Sequence, residues 1–71
     1  LGQINIRMNL IYISNCPNLE EIDLSQLEEA LHIVIINNPN LKTINLSKLQ
    51  QTYSITIVDN STNMNEIYTK N

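Results

Sequence analysis

The sequence predicts a mainly β chain, a short parallel β-solenoid of about three coils of 22 residues with two strands per coil and little helix. An internal repeat is the first observation behind this. Residues 11–32 laid over 33–54 without a gap agree at Ile11/Ile33, Ile13/Ile35, Asn15/Asn37, Pro17/Pro39, Asn18/Asn40, Leu19/Leu41, Ile22/Ile44, Leu24/Leu46, Ser25/Ser47 and Leu27/Leu49. A fixed period of roughly 20 to 30 residues marks units that cannot bury an apolar face alone and stack to do so. The second observation is local alternation: Ile11-x-Ile13 and Ile22-x-Leu24 in one unit, Ile33-x-Ile35 and Ile44-x-Leu46 in the next. Period two is the signature of a strand. Composition is the third. With 42% hydrophobic residues, one glycine and two prolines, the 71 residues call for a packed core and not a linker or a disordered tail.

Taken in order, Ile4, Ile6 and Met8 alternate and then change phase before Ile11, which suggests a strand with a bulge near Asn9-Leu10. Residues 1–10 are therefore expected as a degenerate first coil. The repeats 11–32, 33–54 and 55–71 follow in a single module. Corresponding strands should pair in parallel about 4.8 Å apart, through right-handed connections. Ile11, Ile33 and Ile55 then form one inward column, Ile13, Ile35 and Ile57 a second, and Leu19/Leu41 with Leu27/Leu49 close the core from the corners. Residues 26–32 are good helix formers but too few for more than a turn or two. In the third unit Ile55-Thr56-Ile57 and Asp59-Asn60 keep the pattern, after which it slips by one. The strict offset from Leu41 and Ile44 lands on Asn63 and Glu66, whereas the apolar residues are Met64 and Ile67. A bulge around Ser61-Thr62-Asn63, with Met64 inward, is the expected result.

The spacing Leu19-x-x-Ile22-x-Leu24, repeated as Leu41-x-x-Ile44-x-Leu46, resembles a leucine-rich repeat. The phrase around Asn37-Asn38-Pro39-Asn40-Leu41 is most similar to receptor L domains and to internalin-type bacterial surface repeats. That resemblance implies protein binding through a parallel sheet, at a cell surface or outside the cell. Receptor L domains usually carry disulfide-bonded caps, and the lone Cys16 supplies none. The resemblance also implies that one of two polar columns, Asn15/Asn37/Asp59 or Cys16/Asn38/Asn60, points inward as a ladder bonding the turn backbone. Buried turn amides need such partners.

Several function classes are disfavoured. A net charge of −3 with four scattered basic residues offers no stripe for phosphates, so nucleic acid is not an expected partner. No run approaches the roughly 18 apolar residues of a membrane span, so no membrane insertion is expected. Leu1 is not an initiator methionine, which reads as a mature or internal fragment. Cys16 lacks a second cysteine or a nearby histidine and reads as structural. Glu28 and His32 could share a helical face, but two ligands without a third make no metal site. The adjacent pairs Glu20-Glu21 and Glu28-Glu29 would point to opposite faces of a strand. No nucleophile elbow or phosphate-cradling loop occurs, so neither catalysis nor a cofactor is expected. The sequons Asn45-Leu46-Ser47 and Asn60-Ser61-Thr62 are no more than the abundance of asparagine predicts by accident.

One asymmetry points to function. Outward positions beside Ile22/Leu24 and Ile44/Leu46 are polar: Glu21, Asp23, Ser25, Thr43, Asn45 and Ser47. On the other strands the outward positions are Leu10, Tyr12, Ser14, His32, Val34, Ile36, Ser54, Thr56 and Val58. Tyr12, His32, Val34, Ile36, Thr56 and Val58 are the candidate binding residues, since an apolar patch of this kind usually marks something that covers it. The cover is a protein partner or a neighbouring domain of the same chain. A non-catalytic recognition module is the expected function, with a stacking segment of a fibre or particle as the alternative.

Overall fold

The computed structural model describes residues 2–7 and 9–61, and the backbone of 65–68. The described residues are mainly β, with no helix and two sheets. In chain order the strands are β1 (Gln3–Ile6), β2 (Leu10–Ser14), β3 (Glu21–Asp23), β4 (Glu29–Ile36), β5 (Thr43–Leu46), β6 (Gln51–Val58) and β7 (Asn65–Tyr68). One sheet runs β1-β2-β4-β6 and the other β3-β5-β7.

Each 22-residue unit bends at two turns with identifiable chemistry. Asn15, Asn37 and Asp59 each leave a strand at φ 56°, a left-handed conformation that asparagine and aspartate tolerate better than other side chains. A proline turn follows, closed by Leu19 N–H to the Cys16 carbonyl at 3.3 Å and by Leu41 N–H to the Asn38 carbonyl at 3.1 Å. Pro17 and Pro39 hold the first central position, where a fixed φ is already the one the turn needs. The second bend follows the short strand. There Asp23 Oδ1 accepts the Ser25 N–H and Asn45 Oδ1 accepts the Ser47 N–H, both at 3.0 Å. Leu27 N–H to the Leu24 carbonyl at 3.0 Å and Leu49 N–H to the Leu46 carbonyl at 3.1 Å complete the bend.

Between the sheets lies the core. Ile11, Ile13, Ile33 and Ile35 come from the four-stranded sheet, Ile22, Ile44 and Leu46 from the other, and Ala30, Leu41 and Leu49 from its flanks. Leu19 and Leu27 pack against it half-buried. The pairing puts Ile11 beside Ile33 and Ile33 beside Ile55, and likewise Ile13, Ile35 and Ile57. Burial falls at the last strand, however: Ile33 is fully covered and Ile55 is 37% exposed.

Four features differ from the sequence reading. The uniformly parallel stack of coils does not form, because β1 runs antiparallel to β2, Ile4 opposite Ile13 and Ile6 opposite Ile11, and makes the sheet mixed. Residues 3–6 are thus one arm of a hairpin, closed by reciprocal bonds between Arg7 and Leu10 at 2.9 and 3.2 Å, and not part of a first coil. No helical turn occupies 26–32, since β4 already begins at Glu29, pairing with Gln51 of β6. The one-residue slip is not taken up before β7: Ile44 pairs with Glu66 and Thr43 with Asn65, the strict 22-residue offset. The expected bulge falls mainly on residues 62–64, which lie outside the described residues, as does the direction of Met64.

Candidate interaction surface

The outward face of the four-stranded sheet is built in rows across the strands. Leu10, His32 and Ser54 make one row, Tyr12, Val34 and Thr56 the next, and Ile36 and Val58 the third, in which their β2 neighbour Ser14 is buried and not outward as the alternation predicts. Tyr12, His32, Val34 and Ile36 are half-buried by their neighbours, whereas Thr56 is exposed and Val58 is 48% exposed. All six sequence candidates therefore share one face. His32 is held in place: its Nδ1 lies 2.8 Å from Ser54 Oγ, and its ring meets Tyr53 edge-on at 5.6 Å. No cluster of three or more His, Cys, Asp or Glu side chains that could hold a metal ion occurs among the described residues.

Two residues beside this face escaped sequence reasoning. Strict alternation breaks in β4, where Leu31 and His32 both lie outside the core between buried Ala30 and Ile33. β6 makes the same step, and Thr52 Oγ1 bonds the Leu31 carbonyl at 3.5 Å and the Ser54 carbonyl at 3.3 Å across it. Leu31 and Tyr53 are thereby pushed outward, 50% and 80% exposed. The usable signal was that the two are 22 residues apart and both apolar, one of them aromatic.

On the opposite face Glu21, Asp23 and Ser47 are exposed, and Ser25, Thr43 and Asn45 are half-buried. Hydrogen bonds from the Ser25 side chain and backbone hold the Asp23 carboxyl below its usual range. Lys42 and Glu20 form an exposed ion pair at 3.7 Å, a geometry that contributes about 0–1 kcal/mol. That face is wetted and charged. The hollow lined by Leu31, Gln51, Thr52 and Tyr53 and the one lined by Asn15, Pro17, Asn37, Pro39 and Asp59 are both open to solvent.

Of the two polar columns, Cys16/Asn38/Asn60 is the one that points inward. Asn38 is fully covered. Its Oδ1 accepts the Cys16 N–H at 3.0 Å and its Nδ2 donates to the Ile13 carbonyl at 3.3 Å and to Asn60 Oδ1 at 3.0 Å. Cys16, at the start of the column, donates its thiol to the Ser14 carbonyl at 3.3 Å. Asn15, Asn37 and Asp59 are exposed and supply the left-handed bend instead.

No helix among the described residues is long and apolar enough to cross a membrane. No family model, curated protein or solved structure matches the chain. The resemblance to leucine-rich repeats, receptor L domains and internalin-type repeats is corrected accordingly: a shared Leu-x-x-Ile-x-Leu spacing reports buried strand faces and turn corners, which a mixed two-sheet fold needs as well, and it does not specify that family.

Proposed function

We propose that the chain is a non-catalytic protein-recognition module, working at a cell surface, whose contact face is the outer side of the four-stranded sheet. The observation that carries this is the contrast between its two outer faces. Tyr12, Val34, Ile36 and Val58 form a connected apolar area across three strands, flanked by His32 and Thr56, while Glu21 and Asp23 keep the other face wet. Aromatic and branched side chains held on a rigid sheet lose little conformational entropy when covered, which suits them as contact anchors. His32, fixed by Ser54 and Tyr53, adds a polar group at the rim.

The test places one charge on each face. In Ile36→Glu the carboxylate reaches water while the face is free and must be desolvated when a partner covers it, at a cost of several kcal/mol. Capture of a surface-exposed protein partner by the purified chain should be lost in Ile36→Glu and kept in Thr43→Glu, with both melting near the parent. Unfolding of Ile36→Glu alone would make the face internal packing. Retained capture by both would place the partner elsewhere.

A structural segment of a fibre or particle is the second reading. It is favoured by Ile4 and Ile6, which pair with buried core residues yet are 59% and 55% exposed. Concentration-dependent sedimentation of the chain as a growing series of oligomers would support it over the first.

A further inference from the structure

Each parallel step in the four-stranded sheet is made by the same set of bonds, repeated 22 residues on. The N–H of the left-handed residue donates to the last carbonyl of the next strand, Asn15 to Ile36 and Asn37 to Val58, each at 3.2 Å. One position later a single asparagine amide bridges two units. Asn38 takes the Cys16 N–H and gives to the Ile13 carbonyl; Asn60 takes the Asn38 N–H at 3.1 Å and gives to the Ile35 carbonyl at 3.0 Å. Translated once more, the set has the N–H groups of Asp59 and Asn60 as donors and the Ile57 carbonyl as acceptor. The carbonyl lies on β6 and the two N–H groups directly follow its end.

β6 ends its sheet, and no strand among the described residues pairs with that edge. Its sequence, Gln-Thr-Tyr-Ser-Ile-Thr-Ile-Val, holds no charged residue and no proline, two of the devices that blunt an edge. The Val58 carbonyl faces β4, where it accepts from Asn37. Alternate residues of a parallel strand bond to opposite neighbours, so Ile55 and Ile57 direct their backbone groups outward.

We propose that the outer edge of β6 is a docking site for an extended segment of a separate polypeptide, running parallel to β6, with isoleucine or valine beside Ile55 and Ile57 and an asparagine bridging the Asn60 N–H and the Ile57 carbonyl. The asparagine sets the direction, because an antiparallel strand could share the ladder but would not bring an amide to that bridge. The apolar residues complete the cover of Ile55, which two flanking strands give Ile33. This contact uses backbone groups and is separate from the side-chain face proposed above.

A synthetic peptide copying residues 30–41, Ala-Leu-His-Ile-Val-Ile-Ile-Asn-Asn-Pro-Asn-Leu, is titrated into the full chain and amide hydrogen exchange is followed by NMR. Exchange at Ile55, Ile57, Asp59 and Asn60 should slow, and the Asn38→Ala version of the peptide should bind about tenfold more weakly or worse, as loss of a bridging amide implies. Equal binding of the two peptides, protection confined to other residues, or no binding would overturn the proposal. So would concentration-dependent protection of these amides without peptide, which would assign the edge to a second copy of the chain.

Discussion

Replacing Asn38 by alanine isolates the inward ladder. The side chain is fully covered and its amide is committed at both ends. Truncation strands the Cys16 N–H and the Ile13 carbonyl, and Asn60 Oδ1 loses one of the two donors it takes from Asn38. An orphaned buried polar group costs about 1–3 kcal/mol, and Cys16 is only half-buried, so the two together amount to about 2–5 kcal/mol. Native stability runs at roughly 0.05–0.15 kcal/mol per residue, which for 71 residues makes this a large fraction of the whole. Since 1 kcal/mol shifts the melting point of a domain this small by about 4–8 °C, Asn38→Ala should melt at least ~8 °C below the parent. Circular dichroism melts and urea titration read the effect. Asn40→Ala is the control, because the exposed Asn40 side chain donates to the Pro17 carbonyl at the surface; it should stay within about 1 kcal/mol. Should the two variants melt together, within a few degrees of the parent, the ladder is not what holds successive turns in place.

Other perturbations have expected outcomes from the same structure. Ile35→Ala removes a fully covered side chain from the middle of the core and should cost about 2–5 kcal/mol, read from urea midpoints. At the left-handed Asn37, Asn37→Gly should be close to neutral and Asn37→Val should lose about 1–2 kcal/mol or more; equal melts for the two would show that the bend relaxes. Asp23 has a folded-state pKa below its unfolded value because of Ser25, so its contribution is present above the ordinary carboxylate range and is lost as pH falls through the lowered folded value. An NMR titration of its carboxyl should give a depressed midpoint in the parent, and one nearer the ordinary value in Ser25→Ala.

The 22-residue pairing register could be read from the isoleucine columns, because a slip by one residue would turn every strand's apolar set to water. Direction could not. Ile4 and Ile6 alternate identically whether β1 runs with β2 or against it, and no glycine marks the turn between Arg7 and Leu10. Residues 29–32 show a second kind of limit: Glu29, Ala30 and Leu31 favour helix in isolation, but pairing of Glu29 and Ala30 with Gln51 and Thr52 overrides that preference. At β7 the apolar pattern and the backbone register part company, since Ile44 pairs with Glu66 although the apolar residue is Ile67. The six candidate face residues were legible because outward positions follow from inward ones. Leu31 and Tyr53 were not, since they occupy the place where alternation is skipped.

The β1–β2 hairpin has a consequence for the order in which the chain assembles. It closes through a short turn between Arg7 and Leu10, a step of the microsecond class. Every other pairing in the described structure joins positions 22 residues apart, and the entropy of each such closure must be met before its contacts form. The hairpin is therefore the natural template, and β4 and then β6 add to its β2 edge as growth from a seed. Pairing of Ile4 with Ile13 and of Ile6 with Ile11 gives that seed its hold, although the mature core leaves both β1 isoleucines more than half exposed. Charged residues at Ile4 and Ile6 should accordingly slow refolding more than they speed unfolding, so that two side chains of little weight in the finished structure govern how quickly it is reached.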